Sequence, residues 1–261
     1  MDLKRVYAFG VLFLLIISLY LGYLLYDCSK LREREITANT GEYFYTDLNG
    51  DGQKERVAVK MYKNEGSFDT FTIKAGNTIY NGEGDNLRGN VYLIDLNPDD
   101  KVKELLIPED GPGNDYKALI LRMEGTKILP FGVVYGGPEY QVVPGGIKAM
   151  VRGKLLHTWF YPVTYELRDG FLKRTEQKWY YMGADVTVIQ DIYLYKDRER
   201  KDLIKFAAGE KATILITDDE HWCLLEDEKG KTGWLYLDGY DTVQLTGKSA
   251  REYLSGLNYA D

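Results

Sequence analysis

The chain of 261 residues is long enough for two modest folded units beside a terminal segment, and its 22 Tyr and 27 Gly with runs of Val, Ile and Thr point to strands. A formal net charge of -7 without a basic stripe excludes the phosphate backbone of a nucleic acid as an expected partner. The two cysteines, Cys28 and Cys223, give no disulfide framework, and the two histidines, His157 and His221, leave a zinc site almost without ligands.

After residues 1–5, the run from Val6 to Tyr26 carries no charge over 21 residues. A helix needs roughly 20 to cross the hydrocarbon layer, so this stretch is expected to form one transmembrane helix. Lys4 and Arg5 precede it, tyrosines stand at both ends, and no small-residue cleavage pattern follows, which favours an uncleaved anchor over a removed signal. Tyr26 and Asp27 stand where a lipoprotein signal would carry small residues before Cys28. Residues 27–40 read as a polar linker.

The next segment, residues 41–184, opens with "FYTDLNGDGQKERVAVKMY". Asp47, Asn49 and Asp51 recur at every second position, Gly52 follows and Glu55 closes the run. Alternate residues of a tight loop can turn their oxygens towards one hard cation, and glycine permits the bend. An EF-hand would need a carboxylate where Ala58 stands and a helix where "RVAVKMY" reads as a strand. A second copy holds Asp95, Asn97 and Asp99, but Asp100 replaces the glycine and Glu104 falls one residue late. Glycines expected at hairpin turns, Gly76, Gly125 and Gly170, lie 49 and 45 residues apart, and Asp95 lies 48 after Asp47, so both markers share one period. A third unit has "VVPGGIKAMV" in place of an acidic loop.

This pattern resembles the Asp-x-Asp/Asn-x-Asp-Gly-x-x-Asp/Glu loop of FG-GAP/VCBS repeat proteins. The resemblance implies a partial or degenerate β-propeller-like repeat domain that binds Ca2+. Asp47, Asn49, Asp51 and Glu55 would be side-chain ligands and Gln53 would give its backbone carbonyl, while Asp95, Asn97, Asp99 and Glu104 would make a weaker site. The calcium loop places the bulk of the chain outside the cytoplasm.

From Asp185 to Thr246 five short strands are expected, in "TVIQDIYLYK", "EKATILITD", "HWCLLED", "KTGWLYLD" and "TVQL". Gly209-Glu210-Lys211 before a strand, Trp222 starting the next and the Gly230–Trp234 hairpin resemble the bacterial SH3 domain, which implies a small barrel and cell-wall or protein ligands. Trp222, Trp234 and Tyr236 would line a ligand groove or pack in the core, and core is the commoner place for aromatics in small barrels. In residues 247–261 Ser249 and Glu252 have capping-box spacing, and Gly256 can stop a short helix.

No nucleophile, base and orienting group recur in a recognisable catalytic arrangement, and Glu109 and Asp110 read as a solvated loop. The fold class expected is mainly β, with a repeat domain, an SH3-like barrel and one preceding transmembrane helix. The function expected is a non-enzymatic, membrane-anchored extracytoplasmic binding protein. The alternatives are a structural or assembly subunit of an envelope complex and an accessory protein of a cell-wall hydrolase.

Overall fold

A computed structural model describes residues 32–111 and 115–259. Strands make up 56% of the described residues, so the mainly β reading of the composition stands. The run Val6–Tyr26 and Cys28 lie outside the described residues, among which no helix is long and apolar enough to cross a membrane.

The first of two compact units comprises the described residues up to Ala149 together with Thr164–Arg174. It begins with β1 (Arg32–Thr37), in the stretch expected to be linker; β1 pairs antiparallel with a later strand, Ile36 facing Val91. Next come β2 (Tyr43–Thr46), β3 (Glu55–Tyr62), β4 (Asp69–Ala75) and β5 (Thr78–Gly84), one antiparallel meander in chain order. The second meander is β6 (Asn90–Ile94), β7 (Glu104–Glu109), β8 (Lys117–Glu124) and β9 (Lys127–Tyr135), with β1 added beside β6. The third is β10 (Tyr140–Val143), β11 (Gly146–Arg152), β12 (Phe160–Arg168) and β13 (Phe171–Arg174).

In all three meanders the third and fourth strands join through a two-residue turn holding the expected glycine. Gly76, Gly125 and Gly170 have φ of +59°, +57° and +79°, the left-handed region that such hairpins demand and that glycine enters without penalty. The acidic loops likewise recur between the first and second strands. In the third meander Pro144–Gly145 closes β10 onto β11 directly, which leaves no room for ligands there.

Alternation along the strands builds the core. Val57, Val59, Phe71 and Ile73 of the first meander pack with Val91, Leu93, Leu105, Ile107 and Leu121 of the second. Burial of each such side chain contributes about 1.5–3 kcal/mol.

The second unit comprises residues 150–163 and the described residues from Thr175 onward. Its sheet holds β14 (Tyr180–Val188), β15 (Ile192–Tyr195), β16 (Leu203–Phe206), β17 (Lys211–Thr217), β18 (Trp222–Asp227) and β19 (Thr232–Asp238). The short strands β20 (Thr242–Val243), β21 (Lys248–Ser249) and β22 (Leu254–Ser255) complete it. The order is β16-β15-β19-β18-β17-β14-β22, with β20 beside β19, and this ladder does not close into a barrel.

Two expectations are corrected here. A boundary at residue 185 would cut β14, which starts at Tyr180, and "TVIQDIYLYK" is the end of one strand and the whole of another. β16 was not foreseen. The short C-terminal helix is a single 3-10 turn, Ala250–Glu252, which Ser249 caps by accepting the Arg251 N–H, and the chain then returns to pair with β14 as β22.

Candidate functional site

The first acidic loop, residues 47–54, lies between β2 and β3, the hairpin setting expected of it. Its carboxylates are engaged by its own backbone. Asp47 Oδ1 accepts the N–H of Gly50 (2.8 Å) and Asp51 (3.1 Å), and Oδ2 accepts that of Gly52 (2.8 Å). Asp51 Oδ1 accepts the Gln53 N–H at 2.7 Å. Asn49 Oδ1 accepts the Asp51 N–H, and its Nδ2 donates to Asp51 Oδ2 (3.1 Å) and the Gly125 carbonyl (2.9 Å). Glu55, the first residue of β3, accepts the Leu48 N–H at 2.9 Å.

Asp47, Asn49, Asp51, Gln53 and Glu55 therefore share one turn that is ordered by N–H donors. Asp47 Oδ1 already accepts two donors, whereas Asp47 Oδ2, Asp51 Oδ1 and Glu55 Oε2 each accept one and keep a lone pair for a cation. Among the described residues no three His, Cys, Asp or Glu side chains converge on a point suited to a metal ion. Lys54, Lys101 and Lys103 line a depression beside Asp47, and their charge would weaken any divalent cation held there.

The second loop, residues 95–103, repeats one part of this arrangement and changes another. Leu96 N–H donates to Glu104 Oε2 at 3.1 Å, as Leu48 donates to Glu55. Glu104 is thus the counterpart of Glu55, and its late place in the sequence reflects a loop one residue longer. Glu104 is fully buried, and Arg122 from β8 donates to its Oε1 through Nε (2.9 Å) and Nη2 (2.5 Å). Asp100 lies 3.8 Å from the same Nη2. Burial pushes the Glu104 carboxyl up to about 7, against the pull of Arg122. In this repeat a guanidinium supplies the positive charge, while Asn97 accepts the Asp99 N–H.

The aromatic residues of the second unit do come together. On β18 and β19 the residues Cys223, Leu225, Leu235 and Leu237 enter the apolar core with Ile192, Leu194, Phe206 and Ile214. Strand alternation turns Trp222, Trp234 and Tyr236 to the other face. The sequence left groove or core open for these three; Trp222 is buried, at 8% exposed, and Trp234 and Tyr236 are half-buried. Trp222 pairs across the ladder with Tyr236, and their rings meet edge to face at 4.7 Å. The Trp222 and Trp234 rings are 6.2 Å apart.

Four residues of this face were not foreseen. Trp179 lies against Trp234 at 5.2 Å, and His221 stacks on Tyr236 at 5.0 Å. From the connection between β15 and β16, Arg198 places its guanidinium 4.7 Å from the Trp179 ring centre and 5.6 Å from that of Trp234. Arg200 lies 3.8 Å from Tyr236 and 5.3 Å from Trp222. The sequence signal for the arginines was weak, because "KDRERKD" reads as an ordinary solvated charge run.

Glu210 and Lys231 also meet. Lys231 Nζ is 2.5 Å from Glu210 and 3.4 Å from Asp227, and it lies 4.2 Å from the centre of the Phe206 ring. No protein-family model, curated protein or solved structure matches the chain.

Proposed function

We propose that the chain is a membrane-anchored extracytoplasmic binding protein, in which the second unit is an SH3-like module that takes a cell-wall or protein ligand on its aromatic face. The observation that carries this reading is the placement of Trp222, Trp234 and Tyr236 on the sheet face turned away from the apolar core. Rigid rings so placed offer a large contact area at little cost in side-chain entropy, which favours recognition of an extended chain. The three meanders, with their repeated loops and glycine turns, support an FG-GAP/VCBS-like repeat domain as the second part of the reading.

Retention of the full-length protein on purified peptidoglycan, in detergent, is the test. Trp234→Ala should lose retention while its circular dichroism spectrum stays that of the wild type; equal retention would remove the cell wall as the ligand of this face.

Calcium at Asp47, Asn49, Asp51 and Glu55 belongs to the same proposal, as an addition to a turn already held by hydrogen bonds. Extracellular calcium modules have Kd on the order of 10⁻⁴ to 10⁻³ M. Millimolar calcium should therefore raise the melting temperature modestly by mass action, and Asp51→Ala should abolish the rise. A melting curve indifferent to calcium would remove the cation from the proposal.

A further inference from the structure

The connection between β15 and β16, residues 196–202, is closed by the Lys196 N–H donating to the Asp202 carbonyl at 2.9 Å. Two of its carboxylates are occupied within the loop. Asp197 accepts the Glu199 N–H, and Glu199 is ion-paired with Lys201. The two arginines between them behave differently. Both are exposed, both rest on the aromatic face, and among the described residues neither guanidinium has a carboxylate or hydrogen-bond partner. Arg88, Arg122, Arg168 and Arg251 are each paired with an acidic residue, as an excess of 40 acidic over 33 basic side chains would lead one to expect.

A guanidinium over a ring is held through its face, and that contact uses none of its five N–H donors. Those donors suit the two oxygens of a carboxylate better than any other common biological group except phosphate. Spacing narrows the choice. Arg198 lies over Trp234 and Arg200 over Tyr236, two residues apart on β19, hence about 7 Å along the strand. Carboxylates on alternate residues of an extended peptide have the same repeat of about 7 Å. An apolar stem between such carboxylates would lie on the rings of Trp222 and Trp234.

We infer that Arg198 and Arg200 are ligand-binding residues, and that the occupant of this face is an extended acidic segment of a partner protein with carboxylates on alternate residues. This rests on the aromatic face being the ligand surface, as proposed above, and adds the chemistry that the ligand must carry.

The probe is a labelled, end-capped synthetic peptide alternating Ala and Glu, compared with the same peptide carrying Gln for Glu. Anisotropy titrations would use the full-length protein in detergent. The Glu peptide should bind, and the Gln peptide should bind at least tenfold more weakly. Arg198→Gln and Arg200→Gln should each weaken the Glu peptide by about tenfold, and raising the salt concentration should do the same. Both arginines are exposed, so these variants are expected to fold, and unchanged melting would verify it. Equal binding of the two peptides, or no effect of either arginine, would overturn the inference. If peptidoglycan retention still depended on Trp234 in that case, the aromatic face would stand and only its proposed chemistry would fall. If neither probe responded to Trp234→Ala, both would fall.

Discussion

Replacing Arg122 by Met isolates the charge that holds the second acidic loop. The guanidinium makes two contacts of 2.9 and 2.5 Å with Glu104, which also accepts the Leu96 N–H at 3.1 Å. Methionine keeps much of the aliphatic stem and removes the cation, which leaves a fully buried carboxylate with one donor. Removing one partner of a buried pair costs about 3–5 kcal/mol, because the remaining charge cannot be solvated. At 1.4 kcal/mol per decade, amide exchange in β7 and β8 should speed up by roughly a hundredfold or more, read by mass spectrometry on peptides covering residues 104–124. The deficit should also depend on pH. With its pKa raised in the folded state, Glu104 stabilises the fold when protonated, fully so below its ordinary value of 4.5, and loses that contribution as pH rises through about 7. Without Arg122 the folded value moves higher still, so the variant should be weakest at pH 8 and partly recovered at pH 5. The double variant Glu104→Gln/Arg122→Met removes both charges, keeps an acceptor for Leu96 and should regain most of the loss. A deficit below about 1 kcal/mol in the single variant would show that Glu104 does not depend on this cation.

Substitutions at three further positions probe the second unit, where Trp159, Trp179, Trp222 and Trp234 all lie and where tryptophan fluorescence therefore reports. Asp219 is 4% exposed, has φ of +60°, and accepts the Lys154 N–H at 2.6 Å and the Tyr161 hydroxyl at 3.0 Å. Asp219→Ala should cost about 2–4 kcal/mol in urea unfolding and Asp219→Asn clearly less, since Asn tolerates the left-handed region and keeps one acceptor; the reverse order would refute this. His157 is buried with neither ring nitrogen in hydrogen-bonding geometry, and burial lowers its pKa against a weaker opposing influence from the Asn258 backbone. The unfolded imidazole, with its ordinary value near 6.5, takes up a proton that the folded one resists, so stability should fall as pH drops below about 6.5. His157→Phe should flatten the fluorescence-detected stability profile between pH 5 and 7, and an unchanged slope would contradict the assignment. At Gly233 a Cβ would lie 2.8 Å from Leu194 Cβ and 3.1 Å from Ile204 Cγ2. Gly233→Ala should therefore cost about 1–3 kcal/mol through overpacking, and a neutral result would mean that β15 and β16 yield easily.

The features legible in the sequence are those fixed by neighbours in the chain. Gly76, Gly125 and Gly170 mark hairpins because a two-residue turn imposes its own dihedral requirement wherever it occurs. The β2–β3 loop was recognisable because alternate Asp and Asn residues bend the backbone locally. Features set by distant partners were hidden. "REREIT" has only one strongly apolar residue, Ile36, and forms a strand because β6 offers an unpaired edge. The boundary at 185 was misplaced because β14 carries a bulge between Tyr181 and Ala184, with Gly183 at φ +64°, which interrupts the alternation just before that point. At the aromatic face, Trp222, Trp234 and Tyr236 were visible as members of paired strands. Trp179, Arg198 and Arg200 reach them from separate segments that no local pattern connects.

The three repeats differ in charge but keep one connection, and this bears on what the acidic loops are for. Leu48 lends its carbonyl to the Lys103 N–H, just before the second strand of the next repeat, and Leu96 does the same for Gly145. The donor in one case belongs to a loop of nine residues, 95–103, and in the other to a two-residue turn without a carboxylate. The link therefore does not need an acidic loop on the receiving side. On the giving side a carboxylate from the following strand, Glu55 or Glu104, holds the leucine N–H and so fixes the carbonyl of the same residue. Compensation of that carboxylate then differs with burial: Glu104 is closed off and has Arg122, whereas Glu55 is only half-buried and is partly served by solvent. A cation at the first loop would add to an arrangement that already stands, as Arg122 does in the second. Its removal should loosen residues 47–54 and leave the link from Lys103 to Leu48 intact, which separates calcium as a stabiliser from calcium as a condition of folding.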